Sequence, residues 1–275
     1  MEQYLGFKEL TLTDNEMAEF YSNDSVNILK CKTNEYVAIY NTEGKLIDKF
    51  CWNGKRYVKI GYPVINNRFV GKVKPKNLQQ QFAIDMLYNN DITIKMLSGR
   101  FGSGKTFLMC AAAVDLIQKG DFEKIVYARN NIEVKNTKQI GHLPGTYNEK
   151  MLPFCMPLCD HLGGVENLER MINCGEIEVV HLGFIRGRDI KNSIIICSEA
   201  ENLTKEHLQL LIGRVGAGSA LWLDGDVKQI DMKVFESNNG MRVAVDKLAG
   251  HPRFGYVKLL KTERSETAAM ADLLD

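Results

Sequence analysis

Long apolar runs and net charge are both missing from this 275-residue chain. No run approaches the roughly 18 apolar residues that a membrane-spanning helix requires, so the sequence predicts none. Thirty-five basic residues nearly balance 34 acidic ones, and the formal net charge of +1 indicates no class of partner. The first residues, Met1 to Tyr4, lack the basic and apolar pattern of a secretory signal peptide, so we expect a cytoplasmic protein.

The cysteines form no pattern typical of a metal site or a disulfide framework. There are seven, an odd number, and no two are spaced as C-x-x-C. Cys155 and Cys159 are one helical turn apart, but no nearby histidine completes a zinc-ligand set. We therefore expect reduced thiols in the core of a cytosolic protein.

One complete motif is present. Residues 99–106 read GRFGSGKT and fit the P-loop pattern G-x-x-x-x-G-K-[ST] at every fixed position. Segment 92–97 before it predicts a buried strand, and segment 107–117 after it predicts a helix. A chance match, expected in roughly one chain of this length in a hundred, rarely has that context. The sequence therefore predicts a nucleotide site.

The chemistry of the motif is local. Glycines let successive N–H groups point at phosphate, and the helix N-terminus adds partial positive charge. Lys105 would reach the β- and γ-phosphates, and the Thr106 hydroxyl would bind Mg²⁺. The predicted nucleotide-binding residues of the loop are Gly99, Arg100, Phe101, Gly102, Ser103, Gly104, Lys105 and Thr106.

Strands alternate with helices from about residue 77. Apolar, β-branched segments predict strands, and amphipathic segments predict helices near 77–87, 147–162, 205–212 and 242–249. The alternation predicts an α/β fold with a parallel sheet and helices on both faces. Ligands of such sheets bind beyond the carboxyl ends of the strands. Four polar residues follow strand ends and should converge on the rim of the P-loop: Glu199, Asp226, Gln229 and Arg264.

Residues 1–74 predict a small β-rich module. Thr13 and Glu16 form a capping box before a short helix. Strands are predicted at 25–30, 35–40, 46–52 and 57–60, with Asn53-Gly54 as a hairpin turn.

Segment 45–76 contains nine basic residues and only one acidic residue, and aromatic residues lie between them in the sequence. Lysines on phosphates and bases on aromatic rings would suit a single-stranded nucleic acid. Alternatively, the aromatic rings fill the small core and the lysines face water, as hairpin alternation also predicts. Exposure of Trp52 and Tyr57 would distinguish the two interpretations. Further along, Gln80 could place its amide against adenine, matching one donor and one acceptor, or it could be an ordinary surface glutamine.

Together these residues resemble the PhoH-like family, phosphate-starvation-inducible ATPases with a RecA-like core related to superfamily 1 helicases. The match covers about residues 75 to 265. Beyond the P-loop it rests on Arg129, Glu133, Gly141 to Gly145, Glu149-Lys150, Arg186-Gly187-Arg188, Glu199 to Asn202 and Gly225 to Asp231.

The resemblance implies a RecA-like P-loop NTPase domain over 75–275, with ATP and Mg²⁺ as cofactors. It implies ATP hydrolysis coupled to binding or unwinding of RNA or single-stranded nucleic acid. Glu199 would position the attacking water, Gln229 would sense the γ-phosphate, and Arg264 would be an arginine finger. Family members form rings, so we expect a homo-oligomer such as a hexamer. Related short forms occur in bacteriophages, so a phage source with work in the host cytoplasm is also an expectation.

Three arginines have open roles. Arg129, Arg186 and Arg188 would contact nucleic acid or a neighbouring subunit, and the last two could instead only solvate a loop.

Two residues depart from the family pattern. Ser198 stands where the family has the aspartate that orders Mg²⁺ with the P-loop hydroxyl, and Glu201 replaces a glutamine. Serine can accept from a metal-bound water without supplying charge, and we expect Asp226 to compensate in part. A second hypothesis is therefore a nucleotide-gated nucleic-acid-binding protein with little or no turnover. If serine is the defect, restoring aspartate at 198 should raise hydrolysis. A third hypothesis is a small-molecule phosphotransferase.

Overall fold

The structure, a computed structural model, describes residues 3–129, 155–230 and 233–263. The strands found there are β1 (Phe7–Thr11), β2 (Glu35–Tyr40), β3 (Leu46–Trp52), β4 (Tyr57–Lys59), β5 (Ile65–Asn67), β6 (Gly71–Val73), β7 (Ile94–Gly99), β8 (Lys124–Arg129), β9 (Ile177–His181), β10 (Ser193–Cys197), β11 (Ala220–Gly225) and β12 (Phe254–Leu259). The α-helices are α1 (Asp14–Ser22), α2 (Leu78–Tyr88), α3 (Lys105–Lys119), α4 (Met156–Leu162), α5 (Val165–Asn173), α6 (Lys205–Ile212), α7 (Lys233–Ser237) and α8 (Gly240–Leu248).

Six strands form one parallel sheet in the order β12-β7-β11-β10-β8-β9. Strands covered on both faces are continuous apolar runs, and every residue of β10 and β11 is buried. Because all neighbours are parallel, the carboxyl ends of the strands lie along one edge. The predicted α/β class with a helix-flanked parallel sheet is confirmed.

Alternate residues of each strand serve opposite faces of this sheet. In β10, Ile194 and Ile196 join the apolar cluster that holds α2, α3, α4 and α5. Ile195 and Cys197 join the cluster that holds α6 and α8. Residues 198 and 224, which follow Cys197 and Leu223, therefore point to the side of α3.

The amino-terminal residues form a second sheet in the order β1-β2-β3-β4. The capping box of Thr13 and Glu16 is present, and the Asn53 side chain closes the β3–β4 turn by accepting from two backbone N–H groups. The strand predicted at 25–30 is wrong. There the Asn27 side chain bonds both the N–H and the carbonyl of Cys31 and forms a local turn.

The small sheet is fastened to the main one. The Tyr36 hydroxyl donates to Asp85 Oδ2 on α2 at 2.9 Å, and its ring stacks on Phe82. Asn34 Nδ2 donates to the carbonyls of Pro252 and Phe254 at 2.9 and 3.0 Å. Both sheets contribute to one apolar cluster, so the small sheet is held against the core.

The aromatic rings of the small sheet face inward. Trp52 and Tyr57 are 7% and 3% exposed and pack with Phe20 and Phe50. This result favours the alternative in which the aromatic rings fill the core, so Trp52 and Tyr57 offer no stacking platform to bases. Several lysines and arginines of segment 45–76 remain at the surface.

Helix prediction failed around Gly163-Gly164. The predicted helix 147–162 is described from Met156 onward, and α5 was not predicted. Gly163 ends α4 in the left-handed conformation (φ 76°), which separates the two helices. No helix among the described residues is long and apolar enough to cross a membrane. The predicted terminal helix lies outside the described residues.

Lys95 is a buried charged residue inside the parallel sheet. It lies on β7, is 1% exposed, and donates from Nζ to the Leu87 carbonyl at the end of α2 at 2.5 Å. Its ammonium also lies 5.2 Å from the ring centroid of Trp222. Burial lowers the pKa of Lys95 to about 7.

Lys95→Met should flatten the pH dependence of stability. A lysine in the unfolded chain has a pKa near 10.4, so between about pH 7 and pH 10 the unfolded chain binds more protons. Stability should rise with pH across that window, by at most about 1.4 kcal/mol per unit. Urea unfolding of wild type and Lys95→Met at several pH values measures the slope. The exposed Lys247→Met is the control, and an unchanged slope in Lys95→Met would contradict the assignment.

Candidate nucleotide site

The P-loop joins the end of β7 to the start of α3. At Gly99 (φ 152°) a Cβ atom would lie 2.4 Å from the Leu259 carbonyl oxygen of β12, so the neighbouring strand leaves no room for a side chain. Gly104 caps α3 in the left-handed conformation (φ 89°), which favours glycine. These two glycines allow the tight turn that brings backbone N–H groups and the helix N-terminus to one point.

Lys105 is folded into this loop. Its Nζ donates to the carbonyls of Gly99 at 2.6 Å and Arg100 at 3.0 Å. Both carbonyls belong to the loop, so the ammonium lies where the loop would surround an anion. Its position fits a phosphate contact after a small movement of the side chain.

Gln80 braces the loop. Its Nε2 donates to the Ser103 carbonyl at 3.0 Å, and its Oε1 accepts from the Lys76 N–H at 2.8 Å. The side chain is buried, at 4% exposed. In this structure its acceptor and one of its donors bind the protein, and the expectation that Gln80 contacts adenine stays a prediction.

A second brace comes from the end of the described chain. The Glu263 N–H donates to the Gly102 carbonyl at 2.9 Å, and Glu263 Oε1 accepts from Asn77 Nδ2 at 2.7 Å. Lys76 Nζ donates to the Glu263 carbonyl at 3.1 Å. The loop is thus tied to the start of α2 and to the segment after β12. Arg264, the expected arginine finger, lies outside the described residues, as do Glu133, Gly141 to Gly145, Glu149-Lys150 and Asp231.

A cleft of about 580 Å³ opens at the carboxyl edge of the sheet beside the P-loop. The structure brings together there three of the residues expected on this rim: Glu199, Asp226 and Gln229. Glu201, Asp224, Phe107 and His161 also line the cleft, and sequence reasoning gave none of them a place there.

Glu199 directly follows Ser198 after β10 and has a left-handed backbone (φ 56°). Its carboxylate forms an ion pair with the guanidinium of Arg129, the last residue of β8. Arg129 was expected to contact nucleic acid or another subunit, but the carboxyl edge of the sheet places it beside Glu199. The other two arginines are elsewhere. Arg188 pairs with Glu178 of β9 at 2.6 Å, and Arg186 is exposed.

Asp226 is engaged by its own turn. Oδ1 accepts from the Lys228 N–H and Oδ2 from Gln229 Nε2, both at 3.0 Å. The Asp226 N–H donates to Glu201 Oε2, also at 3.0 Å. The expectation that Asp226 compensates for Ser198 stays a prediction, and a different carboxylate accepts the Thr106 hydrogen bond.

That carboxylate is Asp224, which sequence reasoning missed. Thr106 Oγ1 donates to Asp224 Oδ2 at 2.6 Å. Asp224 is 3% exposed, and its Oδ1 has no hydrogen-bond partner among the described residues. Burial raises the pKa of Asp224, while the Thr106 hydrogen bond and the charge of Lys105 oppose the rise. The sequence signal that could have indicated Asp224 is a single acidic residue at the end of the apolar segment 220–224.

The site fits a divalent cation of the magnesium type. Mg²⁺ takes few protein ligands and completes its shell with phosphate and water oxygens. No group of three or more His, Cys, Asp or Glu residues in the described ranges could hold a metal unaided. The Thr106 hydroxyl and the unsatisfied Asp224 oxygen supply the two protein oxygens that such a site needs.

The family model described as PhoH-like protein matches residues 72–272 of this chain. Protein PhoH2 of Bacillus subtilis is 34% identical over 290 residues, covering 99% of this chain and 65% of that protein. Protein PhoH2 of Thermobispora bispora is 30% identical over 276 residues, covering 97% and 62%. The chain thus spans less than two thirds of the length of these relatives.

One solved structure with a similar fold is the Sulfolobus solfataricus SWI2/SNF2 ATPase core in complex with dsDNA. It is 12% identical, with a TM-score of 0.41, over 70% of this chain and 40% of that one. A likeness this distant supports no functional assignment.

Glu201→Gln should make the protein more stable above about pH 8. Burial is the largest cause that raises the pKa of Glu201 to about 8, and the nearby Asp224 and Glu199 charges add to it. Between about pH 5 and pH 8 the folded state keeps a proton that the unfolded chain releases, so stability falls as pH rises. Glutamine keeps an acceptor for the Asp226 N–H without titrating.

Urea unfolding across this window measures the difference, with the exposed Glu169→Gln as the control. If the free energy of unfolding fell with pH as steeply in Glu201→Gln as in wild type, the assigned pKa of Glu201 would be contradicted.

Proposed function

We propose that this chain, which belongs to the PhoH-like family of P-loop NTPases, binds ATP with Mg²⁺ and hydrolyses it. The observation that supports the proposal is the shared cleft. Lys105 and Thr106 of the P-loop, Glu199 after β10 and Gln229 after β11 all line it. A phosphate acceptor site and a candidate water-positioning carboxylate therefore lie along one edge of the sheet.

Each residue has a defined task in this proposal. Lys105 exchanges the loop carbonyls for the β- and γ-phosphates, and the loop N–H groups bind the remaining oxygens. Glu199 orients the attacking water, and Arg129 holds its carboxylate in place. Gln229, anchored on Asp226, senses the γ-phosphate. Thr106 and an acidic side chain hold Mg²⁺, which neutralises charge on the phosphate oxygens.

A second candidate function is a nucleotide-gated binding protein with little or no turnover. Two observations favour it. Ser198 carries no charge where the family has an aspartate, and Glu199 is engaged by Arg129. A carboxylate held by a guanidinium has fewer free oxygen lone pairs with which to accept a water molecule.

RNA or single-stranded DNA is the polymer we propose as the effector. Trp52 and Tyr57 are buried, so we place the contact on phosphates rather than stacked bases. Exposed basic residues of segment 45–76 would bind them, including Lys55, Arg56 and Lys72. Assembly into a ring, with the exposed Arg186 reaching a neighbour, is part of the same proposal.

ATP hydrolysis by wild type, Lys105→Ala and Glu199→Gln, with and without an RNA oligonucleotide, tests the enzyme proposal. Lys105→Ala should lose nucleotide binding. Glu199→Gln should keep binding and lose about 100-fold or more in kcat, the usual contribution of a general base. Lys247→Ala, an exposed change on α8, is the matched control. A wild type that binds ATP but does not turn it over would favour the second candidate function.

The triple variant Lys55→Ala/Arg56→Ala/Lys72→Ala should bind RNA more weakly at low salt. Each lost phosphate contact should reduce the slope of log affinity against log salt by about one. Fluorescence anisotropy at several salt concentrations measures this slope. The matched control removes three exposed lysines elsewhere, Lys205, Lys233 and Lys247. An equal loss in the control would contradict a binding site on segment 45–76.

A further inference from the structure

We infer that Asp224 is the metal carboxylate of this chain, so that the acidic partner of Thr106 has moved from the end of β10 to the neighbouring strand β11. The inference rests on the proposed ATP and Mg²⁺ function and deepens it. It gives Ser198 a different meaning, because serine there need not be a defect.

The register of the sheet places residues 198 and 224 side by side. Cys197 of β10 pairs with Leu223 of β11, so the next residues, Ser198 and Asp224, are level on adjacent strands. Paired residues of parallel strands point to the same face. A carboxylate at either position would therefore point into the same space beside the start of α3.

Asp224 is also on the strand next to the P-loop strand. It pairs with Leu97 of β7, two residues before Gly99. Its Oδ2 accepts the hydrogen bond from Thr106 Oγ1 at 2.6 Å. Because the carboxylate and the P-loop hydroxyl are in direct contact, both oxygens can bind one cation.

The environment of Asp224 is incomplete without a cation. The side chain is 3% exposed, and Oδ1 has no hydrogen-bond partner among the described residues. The neighbouring Ser198 hydroxyl is buried beside this carboxylate and helps to lower the pKa of Asp224, which burial raises. A buried carboxylate oxygen without a partner is costly, and a bound cation or its water would satisfy it.

The other acids of the cleft have different partners. Glu199 pairs with Arg129, Glu201 accepts from the Asp226 N–H, and both Asp226 oxygens accept within their own turn. Among the described acids of the cleft, Asp224 is the one that the Thr106 hydroxyl contacts.

This arrangement also explains why Ser198 is small and neutral. An aspartate at 198 would stand level with Asp224, and two buried carboxylates would face one another. Two carboxylates on adjacent strands would repel each other, so that both would not be ionised together. We therefore expect one carboxylate at these two positions, with Asp224 as the charged residue and Ser198 as the uncharged one.

The experiment measures how much Mg²⁺ tightens binding of a fluorescent, N-methylanthraniloyl-labelled ATP. Affinity is determined in EDTA and in Mg²⁺. The affinity in Mg²⁺ divided by the affinity in EDTA, called the Mg²⁺ ratio, is then compared among variants whose folding is checked by Tm. Asp224→Asn keeps an acceptor for Thr106 but removes the charge. It should lower the Mg²⁺ ratio about 10- to 100-fold while leaving affinity in EDTA unchanged or tighter.

The reciprocal exchange is the decisive variant. Ser198→Asp/Asp224→Ser returns one carboxylate to the same space and should restore most of the Mg²⁺ ratio that Asp224→Asn loses. Ser198→Asp alone should not raise the ratio and should lower Tm, because two carboxylates then compete. Asp115→Asn, which removes a buried acid of α3 outside the cleft, is the control and should keep the wild-type ratio.

Three results would overturn the inference. They are a wild-type ratio in Asp224→Asn, a lost ratio in Asp226→Asn instead, and a strong rise from Ser198→Asp alone. Each of these results counts against the inference when the wild-type protein itself binds nucleotide more tightly with Mg²⁺. Failure of the proposed function has another signature, a wild type that binds no nucleotide in either condition, and the inference would fall with it.

Discussion

Parallel pairing of all six core strands is the constraint on which the candidate site depends. It places every strand's carboxyl end along one edge, so residues far apart in sequence become neighbours. Thr106 meets Asp224 there, and Arg129 meets Glu199. The same constraint keeps Arg188 away from the cleft. Because β9 and β10 are parallel, the chain must run back along the sheet between them, and on this path Arg188 pairs with Glu178 of the edge strand β9. The topology therefore decides which polar residues can act on one ligand.

Burial of charge is the second theme. Lys95, Glu201 and Asp224 are all withdrawn from water, and each has a pKa displaced towards its neutral form. Lys95 lies inside the sheet, where its ammonium serves a helix carbonyl and a tryptophan ring. The two acids lie at the carboxyl edge, where a ligand can approach. Similar desolvation thus acts in the interior of the sheet in one place and beside the cleft in the other.

Much of the architecture was predictable from sequence, because it depends on local signals. The P-loop glycines, the β-branched strands and the Thr13 capping box of α1 each specify their own backbone. The parts that were not predicted depend on particular side-chain contacts. The Asn27 side chain forms a local turn with Cys31 where a strand was expected, and the Gln80 amide binds Ser103 across 23 positions. Asp224 required the register of β11 against β7 and β10, which no single segment contains.

The brace between Glu263 and the P-loop has a mechanical consequence. Its N–H is bonded to the Gly102 carbonyl, and its side chain is bonded to Asn77 at the start of α2. A shift of Gly102 must therefore either drag residue 263 along or break that bond. A ligand that moves Gly102 would therefore also change the hydrogen bonds of Glu263, and through its side chain those of Asn77. The shape of the loop and the position of the segment after β12 are in this way coupled.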